Sequence, residues 1–283
     1  MKTAPKFTPH IDGELSVREI QLESLNILKV VDSICKQENI RYWLMYGSLL
    51  GAVRHKGFIP WDDDLDIAMP RPDYDRFLAY FDSNKANYLP LIALRGDGDT
   101  KLPFMITRIS DTKYRMVGEY GDEVPELGAF IDVYPMDGSG ESIEGSLELK
   151  TRCLKEVRAF QNAANSPSSN VDCGFVRKQL RKIRAALLGN PDRWVNKLAK
   201  LATRNDYDTS KYISCLMWPF DTGRPYVGER ELFQTKLCKF EDIEVPIPVG
   251  YEKVLTELYG DYMQLPPKEK RVGHHYYSLV KRS

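Results

Sequence analysis

The stretch Phe58–Pro72, FIPWDDDLDIAMPRP, sets four carboxylates in five positions and runs straight from them into an apolar segment. Ionised carboxylates this close repel one another, and burial raises the cost. A chain folding around them needs a rigid element to carry them and positive charge to offset them. DLDIAM alternates with the two-residue period of a strand, and Pro70 ends it. Asp64 and Asp66 are then expected on one strand face, with Leu65 and Ile67 entering the core. Two hard oxygen ligands on a strand suit a divalent cation such as Mg²⁺, which keeps several waters and takes its other ligands from substrate phosphates. The bland alternative for any D-x-D is a solvated loop or a helix N-cap.

The context favours the site. IRYWLMYGS reads as a strand buried on both faces that stops at Gly47-Ser48, a turn able to hold phosphate at a helix start. A short helix, LLGAVRHKG, is expected next, closed by Gly57. Arg54, His55 and Lys56 place cationic donors between the turn and the acids. Phosphate donors, paired acids and cations together describe a site for a nucleotide diphosphate. A third acid is expected on a neighbouring strand, and GAFIDVYPMDG offers Asp132 and Asp137. Asp137 precedes glycine and reads as a turn residue. Asp132 sits mid-strand, where an unpaired carboxylate is costly, and is the choice; a hydrogen-bonded buried Asp is its other reading.

The rest of the chain supplies a soluble frame. Its 283 residues carry 40 basic and 40 acidic side chains, so net charge gives no general pull toward nucleic acid, and no nucleic-acid partner is expected. No apolar run approaches the roughly 18 to 20 residues that span a bilayer, and the N-terminus lacks a signal-peptide pattern, so a cytoplasmic protein is expected. Five scattered cysteines without C-x-x-C spacing read as reduced thiols, mostly buried.

Ser16-Val17-Arg18-Glu19 has capping-box spacing and opens a helix predicted to end near Asn39. DYDRFLAYFD is helical with Asp73 as N-cap. YLPLIAL, PFMITRI, KYRMV and GAFIDVYPM are strand-like. A helical stretch from Glu141, a polar linker at 162–174, the basic helix FVRKQLRKIRAALLG and a further helix after Gly189-Asn190-Pro191 follow. Residues 212–248 return to strand texture, and GYEKVLTELYGDY closes as a helix. The expected class is α/β (α+β): a catalytic core over 1–140, a mainly helical insertion or subdomain over 141–210, and a return to the core over 211–283 with a C-terminal helix and tail.

YGSLLGAVRHKGFIPWDDDLDIAMPRPDYDRF resembles the signature of the LicD family, phosphocholine transferases related to the fukutin-type transferases. GAFIDVYPMDG and YGDYMQLPP resemble that family's second acidic and C-terminal motifs. The resemblance implies a nucleotidyltransferase-like mixed sheet, with Gly47 and Ser48 at the nucleotide-phosphate turn, Asp64 and Asp66 as metal pair and catalytic acids, and Asp132 as the third. Asp62 and Asp63 match the motif without a clear role, and Asp63 is expected to face away from Asp64. Arg108 stands where the family often has Lys; either holds a phosphate. The implied reaction moves phosphocholine from CDP-choline to a hydroxyl of a glycan or lipid-linked glycan of teichoic acid or lipopolysaccharide type, releasing CMP. Asp132 would orient or deprotonate that hydroxyl. Trp61, Tyr46 and Tyr134 are candidates for an aromatic cage around the choline ammonium.

Arg271, His274 and His275 lie near the C-terminus and fit either a substrate contact or a surface tail. Residues 175–188 form an amphipathic basic helix that packs on its own domain or contacts the inner face of the cytoplasmic membrane. The same fold could use CDP-ribitol or another nucleotide as donor, or survive as a catalytically silent nucleotide-binding protein. A D-x-D glycosyltransferase leaves the Gly-Ser pair unexplained.

Overall fold

The computed structural model describes residues 12–96, 105–118, 125–163, 183, 187, 191–218, 226–273 and 277–282. Helix α1, Val17–Glu38, begins at the expected capping box: Glu19 N–H donates to Ser16 Oγ at 3.3 Å, and Ser16 N–H donates to Glu19 Oε2 at 2.8 Å. It ends at Asn39, whose φ of 50° stops the helix. Its apolar face, from Ile20 through Val31 to Cys35, packs into the main core.

Strand β1 is only Trp43–Leu44, shorter than predicted, because Tyr46 turns the chain with a φ of 50° into helix α2, Tyr46–His55. Gly47 and Ser48 therefore belong to the first turn of α2 rather than to a turn before it. Lys56, at φ 62°, takes the left-handed cap expected of Gly57. Strand β2, Asp66–Pro70, is buried throughout and leads at once into helix α3, Arg71–Ser83. Pro70 stands at the N-cap in place of Asp73, whose buried carboxylate accepts instead from Arg41 Nε at 2.7 Å.

Helix α4, Lys85–Tyr88, precedes strands β3 (Leu91–Leu94), β4 (Thr107–Asp111), β5 (Tyr114–Gly118) and β6 (Ala129–Gly140). The central sheet runs β1-β2-β6-β4-β3, with β2 and β6 parallel and the other pairs antiparallel. The architecture is α+β with a mixed sheet. Its register aligns Asp66, Asp132 and Arg108 in one row across three neighbouring strands. In-register partners share a face, so the row brings two carboxylates and a guanidinium together. Strand β6 runs on past the expected turn: Asp137 lies within it, fully buried, and accepts from Arg71 Nε at 2.6 Å. The arginine supplies the charge that lets an acid stay mid-strand.

Helices α5 (Ile143–Ala163) and α6 (Pro191–Ala202) enclose a second, smaller core that includes Cys153, Val157, Phe160, Leu198 and Leu216. Buried Lys150 ties α5 to strand β7 (Tyr212–Ser214), donating to Ser214 Oγ at 3.0 Å and to the Tyr226 carbonyl at 2.8 Å. The basic segment 175–188 lies outside the described residues except for Ile183 and Leu187, both helical and exposed. Among the described residues no helix is long and apolar enough to cross a membrane, and Cys35, Cys153 and Cys215 are buried.

Strand β8 (Gly228–Glu229) pairs with β7, and β9 (Thr235–Phe240) with β10 (Ile243–Pro248). Helix α7, Tyr251–Tyr259, does not close the fold as the sequence suggests. Past it, strand β11, Tyr277–Lys281, pairs antiparallel with β5, and Leu15 N–H donates to the Leu279 carbonyl at 2.8 Å. The end of the chain is thus built into the fold rather than hanging from it as a tail.

Candidate active site

The acids converge where α2 begins. A methyl group at Gly47 would lie 2.9 Å from Asp62 Oδ2 and 3.9 Å from Asp64 Oδ1, so glycine lets the Asp62 carboxylate sit against the helix N-terminus where a larger residue would push it aside. The partial positive charge of that terminus favours it there. Ser48, buried under the same turn, accepts the Asp66 N–H on its Oγ at 2.8 Å and so fixes the start of β2 to α2. Because β2 starts only at Asp66, strand period does not place Asp64 beside it. The irregular segment 62–65, which passes close to Gly47 of α2, does.

A cavity of about 840 Å³ opens over this cluster. Asp62, Asp64 and Asp66 line it together with Gly47, Tyr46 and Tyr134. Tyr46 and Tyr134 meet edge to face, 5.0 Å between ring centres. Burial pushes the Asp66 carboxyl well above the ordinary range, and Asp64, Asp132 and Asp62 push it further, against a hydrogen bond from Tyr134 that pulls it down. Two carboxylates beside a space large enough for water and phosphate oxygens fit a hard cation that uses few protein ligands. Among the described residues no three His, Cys, Asp or Glu side chains form a ready-made metal site.

Asp132 lies in the row beside Asp66 but not on the cavity wall. Arg108 binds both its oxygens, Nε at 2.8 Å and Nη2 at 3.4 Å, and stacks 4.1 Å over the Phe130 ring. Each oxygen keeps a lone pair beyond its bond to Arg108, so Asp132 can ligate a cation without releasing the arginine. Arg108 is thus committed to the floor of the site. Asp63 is buried and turns toward Gly273, where a Cβ would come 3.9 Å from its Oδ1.

The cationic residues divide. Arg54 and Arg271 line the cavity. His55 stands behind Arg54, its ring edge to face with Trp61 at 6.1 Å, and Trp61 itself lines the cavity. Lys56 is exposed and donates to the Val53 carbonyl at 3.2 Å, outside the cavity. His274 and His275 lie outside the described residues.

The far wall is what residue-by-residue reasoning overlooked. Tyr259, Asp261, Tyr262, Gln264, Pro266 and Lys270 close the cavity opposite the acids, and Trp218 adds another ring. YGDYMQLPP signals this segment only as a motif, and nothing in its local pattern says that it faces Asp64.

The LicD/FKTN/FKRP nucleotidyltransferase domain matches residues 39–114, the span that carries α2, the acid cluster and β2. The chain is 28% identical over 269 residues to the lipopolysaccharide cholinephosphotransferase LicD of Haemophilus influenzae, a match covering 93% of this chain and 97% of that protein. Shorter matches join it to the ribitol 5-phosphate transferase FKRP of Homo sapiens, 46% identical over 41 residues, 14% of this chain and 8% of that one. An uncharacterized protein of Rickettsia prowazekii is 46% identical over 52 residues, 18% of this chain and 20% of its own length.

Proposed function

We propose that this chain, which carries a LicD-family nucleotidyltransferase domain, is a phosphotransferase that moves phosphocholine from CDP-choline to a hydroxyl of a cell-surface glycan precursor. The hydroxyl oxygen forms a bond to the choline-bearing phosphorus, the phosphoanhydride bond breaks, CMP leaves, and the hydroxyl proton passes to solvent. The observation that carries the reading is the placing of Asp62, Asp64 and Asp66 on one wall of a cavity whose other walls are rich in aromatic rings.

In this reading Asp64 and Asp66 hold Mg²⁺, which when bound would neutralise charge developing on the phosphates. Ser48 keeps Asp66 in register with α2, and the Asp132–Arg108 pair holds β6 against β4 beneath it. Tyr46, Tyr134, Trp61 and Trp218 line the cavity, and aromatic rings are the chemistry that binds a quaternary ammonium without hydrogen bonds.

Thermal unfolding with Mg²⁺ and a panel of CDP-choline, CDP-ribitol, CTP, ATP and a sugar nucleotide tests this. A ligand present at 100 times its dissociation constant adds about 2.7 kcal/mol to a fold that alone binds it. CDP-choline should raise the midpoint, with Mg²⁺ and intact Asp64 required. A shift by CDP-ribitol instead would move the donor toward the FKRP-like chemistry. No shift with any nucleotide would remove the transferase reading in favour of a silent fold.

A further inference from the structure

Four carboxylates line the cavity among the described residues: Asp62, Asp64 and Asp66 on one wall, and Asp261 on the other. The first three crowd together, and Asp261 stands apart. It follows helix α7 across Gly260, whose φ of 71° favours glycine, and the turn there lets Tyr259, Asp261, Tyr262 and Gln264 all line the cavity. Backbone bonds fix this turn. Tyr262 N–H donates to the Gly260 carbonyl at 2.8 Å, Gln264 N–H donates to the Asp261 carbonyl at 3.1 Å, and the Tyr262 carbonyl accepts from Arg54 Nη1 of α2 at 2.8 Å. The Asp261 side chain is exposed, and among the described residues no hydrogen bond or ion pair holds its carboxylate. The backbone of this acid is fastened while its carboxylate has no task in the fold.

The transfer reaction needs such a group. The entering hydroxyl approaches the phosphorus in line with the departing CMP oxygen and on the side away from it, and it must give up a proton. A carboxylate whose lone pairs hold a cation is a poor base, which sets aside Asp64 and Asp66. Asp62 sits beside them against the N-terminus of α2. Asp132, the acid that the family resemblance implies for this step, is not on the cavity wall, and Arg108 engages both its oxygens. Asp261 remains, across the cavity from the other acids. Its neighbours suit a sugar: aromatic rings such as those of Tyr259 and Tyr262 pack against the C–H face of a pyranose, and the Gln264 amide carries both donors and an acceptor for hydroxyls.

We propose that the segment Tyr259–Gln264 is the wall that receives the glycan acceptor, and that Asp261 is the catalytic residue that takes the proton of the attacking hydroxyl. The proposal rests on the transfer reaction above and names the residues on the acceptor's side of it. The hydroxyl oxygen bonds to phosphorus and its proton moves to the Asp261 carboxylate. The phosphoanhydride bond breaks, its electron pair leaves on CMP, and the proton passes on to the solvent that reaches Asp261.

Two measurements on the full chain in Mg²⁺ test this: isothermal titration of CDP-choline, and steady-state CMP release from CDP-choline with methyl glucoside, methyl galactoside or methyl N-acetylgalactosaminide as acceptor probe. At least one glycoside should speed CMP release by the parent. Asp261→Asn should lower kcat by about 10²-fold or more, bind CDP-choline within about twofold of the parent and melt at the same temperature, and Asp261→Glu should recover part of the rate. Tyr262→Leu and Gln264→Ala should raise the KM for the glycoside about 10-fold and change the affinity for CDP-choline by less than about twofold. Weakened CDP-choline binding in Asp261→Asn would assign this acid to the donor and overturn the proposal. So would a parent rate that none of the glycosides changes, or a kcat in Asp261→Asn within about threefold of the parent. A parent that fails to bind CDP-choline in the titration overturns the transfer reading itself, before any variant is compared.

Discussion

Strand β6 carries two buried aspartates five residues apart, each bonded to an arginine, and they live in opposite surroundings. Asp137 pairs with Arg71 at 2.6 Å beside the helical layer; Arg71 reaches a second carboxylate, Asp75 at 3.5 Å, but that one is exposed to solvent. Asp132 pairs with Arg108 at 2.8 Å, but Asp66 lies next to it in the register row, with Asp64 and Asp62 close enough to push on the Asp66 carboxyl. A buried pair in balance reads as structure. A pair outnumbered by further acids at the edge of a cavity reads as a place where something cationic belongs, because the protein alone leaves the charges unbalanced.

The largest effect should separate the two surroundings. Asp66→Asn is expected to lower kcat by about 10³-fold while the thermal midpoint stays level or rises, since one of the crowded charges is gone. Melting curves and steady-state rates on the same preparation check this. A variant that unfolds at temperatures where the parent is folded would place Asp66 with Asp137 as a structural acid.

Asp137→Ala should do the reverse and cost about 3–5 kcal/mol in urea unfolding, because Arg71 is left charged and buried. The double change Asp137→Leu with Arg71→Met should recover most of that loss, as an apolar pair of similar volume replaces the ionic one. An unchanged urea midpoint in Asp137→Ala would erase the distinction.

The smallest effect belongs to a pair of the same chemistry whose arginine is exposed to solvent. Arg18 donates to Glu241 at 2.6 Å and holds that carboxylate below its ordinary value of 4.5. A depressed carboxylate contributes stability above the ordinary value and loses it as pH falls through the lower folded one. Glu241→Gln should therefore flatten the stability profile only below about pH 4.5, by under about 1 kcal/mol, and 1 M salt should blunt the difference. Urea midpoints across acid pH measure it.

Much of this site is written in one short stretch. The acids from Asp62 to Asp66, Gly47 and Arg54 are close in sequence, so period and spacing place them near one another. Errors arose where a distant partner decides conformation. Asp137 looked like a turn residue because Arg71, which lets it remain in a strand, comes from the start of another helix. Asp73 looked like a cap because Arg41 is invisible to local pattern. Gly47 and Ser48 were read as the end of a strand because nothing nearby reveals that Tyr46 turns at positive φ. The segment 259–271 is legible as a motif, with Arg271 a candidate substrate contact, but that it lines the same cavity as the acids emerges only from the tertiary fold.

That wall hangs between two anchors, helix α7 before it and strand β11 after it. A ribosome delivers every acid of the cluster long before it delivers β11. A copy cut short ahead of residue 277 would therefore keep all four aspartates and the strand that bears Asp66, yet lose the ladder to β5 that tethers the opposite wall. The order of synthesis thus sets an order of assembly: the acid wall can form before the segment from Tyr259 to Arg271 gains its second tether.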